Sequence, residues 1–151
     1  MTDESTDNAW KLCIAAELLS MGGAIHLLSS LCSAAILLYL IASITMHAPT
    51  LFIWALIVPL LVGLVQTYLA LRTGFDARLF RRMADTGLGP ADLAVFDRAM
   101  IELRLMPATK AGRPIEARIA GAKRLLQLQS LAMLLQIVTA LGAAIYIGRF
   151  S

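Results

Sequence analysis

The chain has 151 residues, of which 59% are hydrophobic and 15% charged, with a formal net charge of +3. A soluble domain is roughly 45–50% apolar and about 25% charged, so this composition excludes an ordinary water-soluble globule and calls for a non-aqueous surrounding. The basic excess does not point to nucleic acid. The segment that holds it also carries Asp76, Asp85, Asp92, Asp97, Glu102 and Glu116, and it flanks apolar stretches, where Lys and Arg serve topology.

The charges are unevenly placed. No Asp, Glu, Lys or Arg occurs from Leu18 to Leu71, a run of 54 residues, nor from Leu125 to Gly148, a run of 24. A membrane-spanning helix needs about 20 predominantly apolar residues. The first run therefore holds two spans and the second holds one.

Residues 1–7 are polar and are expected to fray, with Asp7 or Asn8 capping the first helix. Ala9 to Ser20 reads as an amphipathic stretch at the inner membrane surface, with Trp10, Cys13, Ile14 and Leu18 set against Lys11 and Glu17. Gly22-Gly23 marks either a hinge or a close helix contact. Span one covers about Met21–Met46. His47-Ala48-Pro49-Thr50 turns the chain, because Pro49 removes a donor and disfavours helix at the residue before it. Span two covers about Leu51–Leu71 and contains Pro59 and Gly63, which predict a kink.

Arg72 opens a polar segment. Arg78, Arg81 and Arg82 continue the second helix, and Thr86-Gly87-Leu88-Gly89 stops it. Pro90 starts an amphipathic helix of about 15 residues. Leu93, Phe96, Met100 and Leu103 form its apolar face, with Asp92, Asp97, Arg98 and Glu102 on other faces. Pro107 to Pro114 is a loop. The last helix starts at Pro114 with charged turns and becomes span three at about Leu125–Ile147.

The predicted fold class is an all-α integral membrane protein. Three transmembrane helices, a helical hairpin plus one, carry a small cytosolic helical insertion between spans two and three. The divisions are 1–20 (cytosolic or interfacial), 21–71 (hairpin), 72–124 (insertion) and 125–151 (third span and short external tail). The 72–124 segment carries 11 of the 13 basic residues, so the positive-inside rule places it and the N-terminus in the cytosol and the C-terminus outside. Tyr39, Trp54 and Tyr146 then lie toward the outer interface. The acidic MTDESTDN start predicts no cleavable signal peptide. Ten Arg against three Lys, with abundant Ala and Leu, suits a GC-rich bacterial genome, and the expected location is a bacterial inner membrane.

Polar side chains within spans are the first candidates for function, since hydrocarbon makes them costly. Span one presents His26, Ser29, Ser30 and Ser33 on one face. Span two adds Gln66, and span three adds Gln129, Gln136 and Thr139. They serve either as a hydrophilic lining or as interhelical hydrogen-bonding groups, and the second reading is favoured. Ala132, Gln136, Ala140, Ala144 and Gly148 form a four-residue ladder of mostly small side chains, which suits close helix packing. Glu17, at the inner boundary, is expected to pair with Arg72, Lys123 or Arg124. Arg78, Arg81 and Arg82 share a helix face and are candidate contacts for anionic lipid. The face of Leu93, Phe96, Met100 and Leu103 is a candidate partner-docking surface.

No catalytic residue is predicted: the chain lacks a nucleophile elbow, a Walker loop and a GxGxxG turn. Two cysteines and two histidines, all far apart, predict no metal site. Cys13 and Cys32 lie roughly 28 Å apart by helix rise, beyond disulfide reach. No cofactor is predicted. A haem held by His26 and His47 is the weaker alternative, disfavoured because helix rise separates them by about 31 Å. The leading functional expectation is a non-enzymatic accessory, scaffold or assembly subunit of a larger inner-membrane complex. Its partners are other membrane subunits or itself, together with lipid, and not nucleic acid. A homo-oligomeric channel, holin-like or small transporter protein is the runner-up, and a haem- or quinone-associated anchor subunit comes third.

Overall fold

The computed structural model describes residues 2–86 and 90–150. Every regular element among them is helical: α1 (Thr2–Ser20), α2 (Gly22–Thr45), α3 (Thr50–Thr86), α4 (Pro90–Glu102) and α5 (Ile115–Phe150), with a 3-10 turn at Ala108–Lys110. The stretches Thr6–Thr45, Thr50–Asp85 and Ile115–Arg149 are long and apolar enough to cross a membrane, each containing an 18-residue window whose mean hydropathy is 2.2, 2.1 and 2.0 respectively. Of the turn expected at Thr86–Gly89, positions 87–89 lie outside the described residues.

The helices start and stop for local reasons. α1 begins at Thr2, earlier than the expected cap at Asp7 or Asn8. Asp7 bonds Lys11 one turn on, at 2.6 Å, as an i,i+4 pair. A single residue, Met21, separates α1 from α2. α2 ends in a Schellman motif: the His47 N–H donates to Ile44 O and the Ala48 N–H to Ser43 O. His47 takes the left-handed position at φ 55°, where His is better tolerated than a β-branched residue. α4 ends in the same way, with Arg104 at φ 56° and the Leu105 N–H donating to Met100 O. α3 stays helical on both sides of Pro59.

The chain divides into two compact units. One comprises Met1–Ser20 and Phe75–Arg124, and the other Met21–Gly74 and Leu125–Ser151. The first is called the charged unit here and the second the apolar unit.

In the charged unit, Leu12, Ala15, Ala16 and Leu19 of α1 are buried with Ala77, Phe80 and Met83 of α3 and Ile115 and Ala122 of α5. The residues read as its apolar face at the membrane surface are turned away from this core: Trp10 is 64% exposed and Ile14 66%, and Cys13 and Leu18 are exposed too. α1 is apolar on both sides, and the side with the smaller residues packs, because alanines let a neighbouring helix approach.

In the apolar unit, one end is a conventional core. Ile36, Phe52, Leu56, Ala143 and Ile147 form a buried cluster, and Phe52 meets Tyr146 edge-on at 5.6 Å between ring centres. Elsewhere the buried positions are polar or small. On α5 they recur at seven-residue steps through Gln129, Gln136 and Ala143, the spacing that keeps a seam facing its neighbours in left-handed packing.

Gly63 is the tightest point of that seam. A Cβ built there would collide with Ser33 Oγ and lie 2.9 Å from Gln136 Nε2. At Gly142, on an open face, a Cβ meets nothing within 4 Å. Gly63→Ala is therefore expected to cost about 1–3 kcal/mol through overpacking, whereas Gly142→Ala is expected to be neutral or to stabilise by up to about 1 kcal/mol. Thermal unfolding of the two variants in detergent checks the contrast.

Candidate functional site

Two groups of side chains have the burial and bonding of built sites, one in each unit. In the apolar unit, Gln136 is fully buried and central. Ser29 Oγ donates to its Oε1. Its Nε2 donates to Ser33 Oγ at 2.8 Å and to the Ser29 carbonyl at 3.4 Å. Gln129, also fully buried, donates from Nε2 to the Gly22 carbonyl at 2.7 Å. α2 and α5 are thereby joined twice by side-chain amides.

The remaining polar candidates fall into two classes. Ser30 and Thr139 bond only backward along their own helices, to His26 O and to Leu135 O and Gln136 O. Gln66 is 0% exposed, and neither its Oε1 nor its Nε2 has a partner among the described residues. Gln129 Oε1 and His26 Nδ1 are buried in the same condition. His47 is exposed at the α2–α3 turn.

The small-residue ladder does not hold one face. Ala132 and Ala140 are half-buried and Gln136 buried, but Ala144 and Gly148 are exposed. A four-residue step advances about 40° around a helix of 3.6 residues per turn, so four steps drift roughly 160°. A seven-residue step drifts only about 20°, and for that reason Ala143, not Ala144, continues the buried line.

In the charged unit the centre is an ion pair that the sequence reading did not single out. Arg118 Nη2 donates to both carboxylate oxygens of Asp97 at 2.8 Å. The pair is buried, with side chains 12% and 6% exposed. The Gly112 N–H donates to Asp97 Oδ2 at 2.8 Å, and Arg118 Nε donates to the Arg113 carbonyl at 3.0 Å. Gly112 stands at φ 69°, a conformation that costs glycine nothing. The guanidinium also lies 6.0 Å from the centre of the Phe96 ring, within cation–π range. The pair fastens α4 and the 107–114 loop to the first turns of α5.

Beside the pair is an open cavity of about 530 Å³, with Leu93, Ile101 and Pro114 on its apolar walls and Arg98, Glu102 and Arg113 among its charged residues. Asp97 lies on the apolar side of α4, not on a separate polar face. It follows Leu93 by four residues and precedes Met100 by three, and that spacing was the available signal. Leu93, Phe96 and Met100 are half-buried, but Leu103 falls beyond the end of α4 and is 68% exposed.

Glu17 pairs with Arg81, not with Arg72, Lys123 or Arg124. Arg81 lies nine residues beyond Arg72, about 13 Å farther along α3. The level reached by Glu17 is set by helix register and not by where the charge-free run stops. The pair is more than half exposed, so it contributes at most about 1 kcal/mol. Arg78 and Arg82 are exposed on the same stretch. Among the described residues no group of His, Cys, Asp and Glu is arranged to hold a metal ion.

Removing one member of the buried pair leaves the other uncompensated. Arg118→Met is expected to cost about 3–5 kcal/mol, and adding Asp97→Leu to recover most of it. Unfolding in detergent measures both, and trypsin cleavage after Lys110 reports whether the loop has been released. No protein-family model matches this chain, and neither a curated protein nor a solved structure shows significant similarity to it.

Proposed function

We propose that this chain is a non-enzymatic accessory, scaffold or assembly subunit of a larger complex in a bacterial inner membrane, with its N-terminus and charged unit cytosolic and its C-terminus outside. The reading is supported most by α1. One side of that helix is packed within the charged unit, and the other presents Trp10, Ile14 and Leu18 uncovered. The same unit exposes Arg78 and Arg81. An uncovered apolar stripe among charged residues marks a contact surface, and large side chains at steps of four are the pattern that a second helix engages.

The polar span residues favour assembly over a shared conduit. Ser29, Gln66, Gln129 and Gln136 are each at most 1% exposed within a single chain. A path between several copies lined by these side chains would require each bundle to open. The outward residues at those levels, such as Leu28, Leu64 and Leu131, are aliphatic and suit lipid or another helix.

A photoreactive residue in place of Ile14, activated in intact membranes, tests the proposal. A discrete adduct with a different polypeptide is the expected result, reduced several-fold by adding Trp10→Ala. An adduct of twice the chain's own mass would instead indicate self-assembly, and labelling of lipid alone would contradict the proposal.

A further inference from the structure

The apolar unit contains more buried polar capacity than its own residues satisfy. Gln66, at 0% exposure, has both side-chain amide atoms without a partner among the described residues, and Gln129 Oε1 and His26 Nδ1 are buried without one as well. Reversing the amides does not help. Gln129 already uses Nε2 on the Gly22 carbonyl, so a flip would set Oε1 against that carbonyl, acceptor against acceptor, and lose the bond, and Gln66 gains nothing in either orientation.

Helix register places these atoms in one stretch of the bundle. Gly22 bonds Gln129, and Ser29 bonds Gln136. The two pairs share one sequence offset, so α2 and α5 run parallel in constant register, with the two bonded levels about 10.5 Å apart. α3 runs the opposite way: Gly63 faces Ser33 and Gln136, while Phe52, earlier in α3, meets Tyr146, later in α5. Gln66 follows Gly63 by three residues, about 4.5 Å, and is therefore displaced from the Gln136 level toward the Gln129 level. His26 lies between Gly22 and Ser29 on α2. All four unpartnered atoms thus belong to the interval between the two bonded levels.

We propose that this interval is an internal water-binding site formed by Gln66, Gln129 and His26. The chemistry selects the ligand. Gln66 Nε2 needs an acceptor, whereas Gln66 Oε1 and Gln129 Oε1 need donors, so a single kind of guest must both donate and accept. Water does both and is held where two to four polar groups surround it. A bare ion is disfavoured, because no Asp, Glu, Lys or Arg occurs from Leu18 to Leu71 or from Leu125 to Gly148 to balance its charge. In hydrocarbon, the outer face of the bundle offers these groups no alternative partner.

The glutamine side-chain amides make the site observable. The chain has four glutamines, at positions 66, 127, 129 and 136, and one asparagine, Asn8, so ¹⁵N labelling gives five side-chain amide pairs to assign in detergent or nanodisc samples. The Gln66 Nε2 protons are expected to show a cross-peak to long-lived water. Gln66→Met, close in shape and without hydrogen-bonding groups, is expected to lower Tm by about 4 °C or more, because it strands the water and the remaining partners. A Gln66 amide with no water cross-peak in the unmodified protein would overturn the proposal, as would a Tm raised by Gln66→Met, the response of a dry, unpartnered amide.

Discussion

The hydrogen bonds of Gln136 to Ser29 and Ser33 are the interaction on which the apolar unit depends. Association of apolar helices in hydrocarbon gains little from the hydrophobic effect, because lipid tails are as apolar as leucine. What remains is close packing and hydrogen bonding between helices. Gln136 supplies the bonding, and Gly63 supplies the space, since any side chain at 63 would enter the volume of the Ser33 hydroxyl and the amide. One amide thereby fixes the register of α2 against α5 and brings α3 into contact with both. Each such bond contributes only about 0.6 kcal/mol, so its importance is in specifying the register.

The charged unit solves a different problem. Its α4 and 107–114 loop bury little, and the Asp97–Arg118 pair stands in for a larger core. A buried ion pair is weak evidence for stability, because desolvation offsets most of the attraction. Here the pair also takes up the Gly112 N–H and the Arg113 carbonyl, so it orders a loop that flanks the open cavity. A rigid wall with charges of both signs at its edge, together with the uncovered stripe of Trp10 and Ile14, fits a unit built to contact something else.

The helices were legible in the sequence because two charge-free runs and two proline-marked turns leave little choice. The polar span residues were legible too, since hydrophilic side chains in such runs stand out. Their arrangement was not. Small residues at steps of four suggested a ladder through Ala144 and Gly148, but the buried line steps by seven, and only packing distinguishes the two. α1 is apolar on both sides, and pattern alone does not say which side packs within the unit. The charge of Asp97 points to a polar face, but its offsets from Leu93 and Met100 put it among the apolar residues, where Arg118 pairs with it. The partner of Glu17 depended on the register between two helices, which no local pattern encodes.

The most direct test of this account is a double-mutant cycle on Ser29→Ala and Gln136→Leu, measured by reversible unfolding in detergent. If the amide holds α2 and α5 in register, the two substitutions are coupled by about 0.6–1.7 kcal/mol, the range of interhelical hydrogen bonds in membranes. Additive effects, with coupling indistinguishable from zero, would show that the register is held by apolar packing alone and would contradict the account.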